Sequence, residues 1–130
     1  MYSFGMTEEQ ELVRDSMREF AADLLRPAAR DCDEAAAISD ELLQSVWELG
    51  LTNTQLPAAY GGGDEPRSPI TNAILIEELA HGDAALTLAV LAPSQFANAI
   101  VDHGSDDQKQ RYLPLFCGES FHVGSLAIDE

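Results

Sequence analysis

Basic residues are scarce: one lysine, Lys109, and six arginines stand against 23 acidic side chains, for a formal net charge of -16. A chain so charged repels the phosphates of nucleic acid and the surface of an anionic membrane. Cysteine is nearly absent. Cys32 and Cys117 lie far apart with no CxxC and no metal-ligand spacing, which points to reduced thiols and a cytoplasmic location rather than a disulfide framework. Aromatic residues are only 7% of the chain, while 45% is hydrophobic and rich in Ala and Leu. That mix favours packed helices over a β-sandwich and excludes a disordered tail. No apolar run reads as long enough to cross a bilayer, so no membrane insertion is expected. The opening Met1-Tyr2-Ser3-Phe4 leads into a charged segment and lacks the form of a signal peptide. The 130 residues fit one domain with its own core.

What is present is helical rhythm. Thr7-Glu8-Glu9-Gln10 reads as a capping box, and Val13, Met17, Phe20, Ala21 and Leu24 follow at helical spacing. Pro27, which lacks an N–H, is expected to end or kink that helix. Ser39 caps a second helix with Leu42, Leu43, Val46 and Trp47 on its buried face, and Gly50 is a natural stop. Leu51 to Arg67 reads as a loop. Ser68-Pro69 restarts a helix in the favoured cap-then-proline order, carrying Ile70, Ile74, Leu75, Glu78 and Leu79. Gly82-Asp83 breaks the chain briefly. Ala84 to Ala92 is almost wholly apolar and is expected to be buried on all sides; Pro93 interrupts or starts the next turn, and Gly104 closes the helix after it. Ser105-Asp106-Asp107-Gln108 is a second capping box, opening a helix with Tyr112, Leu115 and Phe116 that ends near Gly118.

The tail departs from this pattern. Phe121 to Asp129 reads as one extended strand with no partner in the sequence. The expected fold is therefore all-α: an orthogonal or up-and-down bundle of about six helices over residues 1–120, then one strand over 121–130 that begins a β-domain. A lone strand edge is seldom left unpaired at a natural domain end, so the sequence is expected to be a piece of a longer chain.

Two chemical motifs carry little weight. Glu78-Leu79-Ala80-His81 and Glu119-Ser120-Phe121-His122 are both Glu-x-x-His, a spacing that helical bundles use for di-iron sites. The second follows Gly118 and reads as strand, so its side chains diverge. Gly61-Gly62-Gly63 resembles a phosphate loop only superficially, because Asp64-Glu65 follows in place of Lys-Ser/Thr.

Three ordered segments carry more. Glu48-Leu49-Gly50-Leu51 with Leu56-Pro57-Ala58-Ala59-Tyr60-Gly61-Gly62 comes first. Ile76-Glu77-Glu78-Leu79-Ala80-His81-Gly82-Asp83-Ala84 is second. Gly104-Ser105-Asp106-Asp107-Gln108-Lys109-Gln110-Arg111-Tyr112-Leu113-Pro114 with Cys117-Gly118-Glu119 is third. In this order and at this spacing they resemble the "ELGL…PEEYGG", "EELARADA" and "GTEEQKEKYLP…SGE" segments of the acyl-CoA dehydrogenase family, over nearly the whole chain. Each alone is a turn or a helix face, and together they identify a fold more than a chemistry.

The resemblance implies an N-terminal helical domain, followed in the family by a β-domain and a C-terminal bundle, with FAD as cofactor and homo-oligomeric assembly. It implies oxidation of an acyl-CoA or acyl-carrier thioester to the 2,3-enoyl thioester, with a glutamate base in the C-terminal domain. No catalytic residue is therefore assigned in this chain, which alone is expected to be inactive. By position in the family, Thr87, Leu88, Leu91, Ser94 and Gln95 line the acyl cavity. Leu126-Ala127-Ile128-Asp129-Glu130 matches "FALTE", which places Leu126, Ile128 and Asp129 at the flavin. Asp129 departs from the family's threonine, and a carboxylate there opposes the negative charge of reduced flavin. The alternatives are a catalytically altered paralogue, a non-catalytic helical interaction module, or one half of a split enzyme whose second subunit carries the remaining domains.

Overall fold

A computed structural model describes residues 5–128. Among these the chain is all helical: α1 (Glu8–Phe20), a π-helical turn (Ala21–Leu25), α2 (Arg26–Ala35), α3 (Asp40–Trp47), α4 (Pro69–Gly82), α5 (Ala84–His103) and α6 (Asp106–Tyr112). Short 3₁₀ turns span Ala58–Tyr60 and Leu113–Cys117. The chain forms two compact units. Arg67–Thr87 belongs with the segment up to Ala37, and Ile38–Pro66 with the segment from Leu88 onward.

In the first unit the capping box at Thr7 forms as expected. The Gln10 N–H donates to Thr7 Oγ1 at 3.2 Å, and the Thr7 N–H donates to Gln10 Oε1 at 3.0 Å. Pro27 does not end the helix. The helical run continues from Glu8 to Ala35, because the turn ahead of the proline widens into the π segment. A proline ring collides with the carbonyl one α-turn earlier and has no N–H to give it. A wider turn relieves both problems. Met17, Ala21, Leu25 and Leu79 form the buried face between this run and α4. Gly82, the last residue of α4, makes a close approach: a Cβ there would stand 2.9 Å from the Ala21 carbonyl oxygen and Cβ. Ile70 and Ile76 point outward from α4, so its apolar pattern is wider than its buried face.

In the second unit Ser39 caps α3, its Oγ accepting from the Leu42 N–H at 3.3 Å. Gly50 follows with φ +71°. The loop after it is folded back on itself: the N–H groups of Gly63, Asp64 and Glu65 donate to the carbonyls of Asn53, Leu56 and Thr54, each at 2.9 Å. This seats Leu56, fully buried, in a core with Ala97, Leu113 and Phe116. Tyr60, Phe96 and Ile100 pack around it. α6 is shorter than its sequence pattern suggests. Pro114 tightens the last turn to 3₁₀, and this turns Leu113 and Phe116 inward and leaves Leu115 exposed.

α5 corrects three expectations. It passes through Pro93 without a break. The proline ring is fully buried, and this packing offsets the hydrogen bond the ring cannot make. The helix is not buried on all sides, since Ala84, Ala85, Leu88 and Gln95 are exposed. Because it is continuous, its 20 residues are also long and apolar enough, by length and composition, to cross a membrane. Leu86, Val90 and Ala97 are buried within the protein, and 28% of the apolar window is buried in all.

The tail from Phe121 to Ile128 forms no strand pairing among the described residues. The assignment of 121–130 as a first β-strand therefore remains a sequence expectation, and Asp129 lies outside the described residues.

Candidate functional site

α5 sorts the five acyl-pocket candidates into two sets. Thr87 and Ser94 turn inward with their hydroxyls engaged. Thr87 Oγ1 donates to the Asp83 carbonyl at 2.7 Å, and Ser94 Oγ shares a 2.9 Å hydrogen bond with Thr52 Oγ1. Asp83 also caps α5, its Oδ1 accepting from the Leu86 N–H at 2.8 Å. Leu88, Leu91 and Gln95 are spaced three and four residues apart and so share one helix face. Leu88 is 66% exposed, Leu91 half-buried and Gln95 exposed. An exposed leucine is ordinary by itself. A stripe of two leucines ending in an amide, on a helix whose other side is core, is a surface suited to an acyl chain.

The tail meets this helix. Gly124 rests on α5 so closely that a Cβ there would stand 3.2 Å from Pro93 Cα and from Phe96 Cβ. Two residues on, Leu126 is 43% exposed, and Ile128 is 83% exposed. Within one unit, the segment proposed to face a flavin thus crosses the helix proposed to line an acyl cavity.

Two residues of α3 hold the tail. Trp47 Nε1 donates to the Gly118 carbonyl at 2.8 Å, and its ring meets Phe121 edge-on with centroids 5.6 Å apart. Gln44 bonds the Glu119 carbonyl and the Phe121 N–H. Trp47 carried a signal as the chain's single tryptophan; Gln44 and Thr52 carried none. A groove of about 600 Å³ opens beside this anchor, lined among others by Gln44, Trp47, Asn53, Cys117 and Glu119. Burial pushes the Cys117 thiol up from its ordinary pKa, so it is held in the protonated, weakly nucleophilic form.

The two weak motifs find other uses. Glu78 takes both of its strong hydrogen bonds from Arg18, and no group of three His, Cys, Asp or Glu among the described residues is placed to hold a metal. The N–H groups of Gly61, Gly62 and Gly63 donate to the carbonyls of Ala58, Pro57 and Asn53 and are not free to cradle a phosphate.

Comparison with known proteins identifies the family of this fold. The family described as "Acyl-CoA dehydrogenase, N-terminal domain" matches residues 7–120. Cyclohex-1-ene-1-carbonyl-CoA dehydrogenase of Geobacter metallireducens is 36% identical over 125 residues, which is 96% of this chain and 32% of that protein. A short-chain specific acyl-CoA dehydrogenase of Clostridium acetobutylicum is 35% identical over 131 residues, covering 98% of this chain and 33% of that protein. Among solved structures, butyryl-CoA dehydrogenase from Megasphaera elsdenii superposes with a TM-score of 0.74 at 26% identity, over 91% of this chain and 31% of that one. The chain therefore belongs to the acyl-CoA dehydrogenase family, through the family's N-terminal helical domain. It spans about a third of the length of these relatives.

Proposed function

We propose that this chain is the N-terminal part of a flavin-dependent acyl-CoA dehydrogenase, lining the acyl pocket and one edge of the flavin site. The observation that carries this reading is the crossing of the tail over α5 at Pro93 and Phe96, next to Leu91 and Gln95. The relatives named above act, by their names, on CoA thioesters.

The residues present fit one edge of a flavin. An isoalloxazine ring asks for apolar cover and for backbone groups aimed at its polar rim. The extended stretch through Leu126 and Ile128 presents exposed apolar side chains on a backbone outside any helix. When bound, FAD supplies a hydride acceptor for the β-carbon of the thioester. In this chain, Leu88 and Leu91 exclude water from the acyl chain, Gln95 closes the far end of the slot, and Thr87 and Ser94 brace the helix that carries them. The base, the rest of the flavin site, the homo-oligomer contacts and the choice between CoA and carrier thioesters belong to further domains, on this polypeptide or on a second subunit. We place the protein in the cytoplasm.

Asp129 favours a second reading, a paralogue with altered redox behaviour, because a carboxylate stands where the family has threonine. Flavin titration of the 130-residue chain tests the domain assignment. Weak or no binding is expected, and stoichiometric submicromolar binding would overturn it. In the flavin-loaded protein, Asp129→Thr should raise the flavin midpoint potential. An unchanged potential removes the second reading.

A further inference from the structure

Gln44 completes a rung of a sheet without supplying a strand. Its Nε2 donates to the Glu119 carbonyl at 2.9 Å, and its Oε1 accepts from the Phe121 N–H at 3.2 Å. A carboxamide carries the same donor and acceptor as a peptide unit. The carbonyl of one residue and the N–H two residues later are the pair that a neighbouring strand engages. The orientation of the amide follows from its partners, since the flipped amide would set donor against donor and acceptor against acceptor. Glu48 Oε1 also accepts from Nε2, at 3.3 Å, and helps to hold the group in place. One helical turn along, Trp47 fixes the Gly118 carbonyl. Residues 118, 119 and 121 are thus tied to α3 just before the chain runs across α5 at Gly124 and on to Leu126 and Ile128.

We propose that Gln44 is a positioning residue for the flavin edge: by holding Glu119 and Phe121 it sets the direction in which residues 123–128 reach the ring. The role rests on the dehydrogenase reading given above. The clasp itself does not, and the two can be tested apart. Gln44 touches no substrate atom. Its effect passes through the backbone, and for that reason the polar chemistry of its tip matters more than its bulk.

The test uses three variants. Gln44→Ala removes the clasp. Gln44→Glu is isosteric and offers the same donor–acceptor pair when its carboxyl is protonated, but sets a negative charge against the Glu119 carbonyl and Glu48 when ionised. Ser45→Ala on the same helix is the control, because its hydroxyl bonds the Glu41 carbonyl of its own helix, at 2.8 Å. Amide exchange at Phe121 is expected to accelerate about tenfold in Gln44→Ala, the loss of one net hydrogen bond, with no change in the control. Unchanged exchange at Phe121 overturns the clasp. In the flavin-loaded protein, Gln44→Ala is expected to alter the visible circular dichroism of the flavin. Gln44→Glu is expected to show the parent's signal at low pH and the Gln44→Ala signal at neutral pH, a dependence the parent lacks. Faster exchange at Phe121 with an unaltered flavin spectrum overturns the positioning role and leaves the clasp as a packing feature. A full-length parent, carrying the β-domain and C-terminal bundle as well, that binds no flavin overturns the dehydrogenase reading and the positioning role together, while the exchange result still decides the clasp.

Discussion

Arg18 grips Glu78 with two guanidinium nitrogens, Nε to Oε2 at 2.8 Å and Nη2 to Oε1 at 2.7 Å, and so ties α1 to α4 across sixty residues of sequence. The glutamate is only 12% exposed at this junction, and the arginine is 63% exposed. The hydrogen bonds from Arg18 hold the Glu78 carboxyl below its ordinary pKa, against its partial burial and with help from the arginine's charge. Arg18 is shifted the other way by the same hydrogen bonds and charge, so it stays protonated at any usable pH.

The sign of the pH dependence follows. A carboxyl whose folded pKa lies below its unfolded one stabilises the fold fully above the ordinary glutamate value of about 4.3, and the contribution is lost as pH falls through the folded value. Arg18→Met should therefore lower the melting temperature at neutral pH, and the gap from the parent should close as the medium is acidified below that range. Thermal unfolding across a pH series measures the gap. A gap that stays constant down to strongly acid pH contradicts the prediction. The pair is partly open to solvent, so added salt should shrink the gap as well.

Gly82→Ala should destabilise the first unit despite alanine's better helix propensity. The added Cβ would stand 2.9 Å from the Ala21 carbonyl oxygen and 3.1 Å from Leu25 Cβ, so helix must move from helix. Overpacking of this kind costs about 1–3 kcal/mol, more than the gain of up to about 1 kcal/mol from replacing glycine. Urea unfolding of the variant should show a lower midpoint, and a raised midpoint would show that the two helices can part at little cost.

Leu56→Ala should be the more damaging change. Leu56 is fully buried among Ala97, Leu113 and Phe116, and its removal leaves a cavity where the folded loop meets α5. Such truncations cost about 2–5 kcal/mol. The same urea experiment reads the loss, and a change below about 1 kcal/mol would mean that the loop collapses to fill the space.

Cys117 should react slowly. Because burial pushes its thiol pKa up, alkylation by iodoacetamide at mildly alkaline pH should run slower than that of a small free thiol. Unfolding in urea should abolish the difference. Equal rates in the folded protein would contradict the shift.

The sequence was most legible where one residue type acts locally. Thr7, Ser39, Ser68 and Ser105 each cap the helix expected of them, because a side-chain oxygen bonding the N–H three residues on needs no distant partner. Pro27 and Pro93 are less legible for the opposite reason. A proline's local cost is readable from sequence, but the π turn that relieves Pro27 and the packing that compensates Pro93 come from the surrounding fold. The acyl-pocket candidates rest on family resemblance, and the structure separates Leu88, Leu91 and Gln95 on one face from the engaged hydroxyls of Thr87 and Ser94. Gln44 was invisible, because its hydrogen bonds reach 75 and 77 residues along the chain to backbone atoms, which leave no mark in residue type.

The most direct test of the account is anaerobic mixing of the flavin-loaded full-length protein, with the β-domain and C-terminal bundle present, with acyl-CoA thioesters of increasing chain length, following the visible absorbance of oxidised flavin. The account predicts bleaching with a preferred chain length, and a shift of that preference toward shorter chains in Leu91→Trp, where added bulk shortens the slot along α5. A flavin-loaded protein that no acyl thioester bleaches would contradict it.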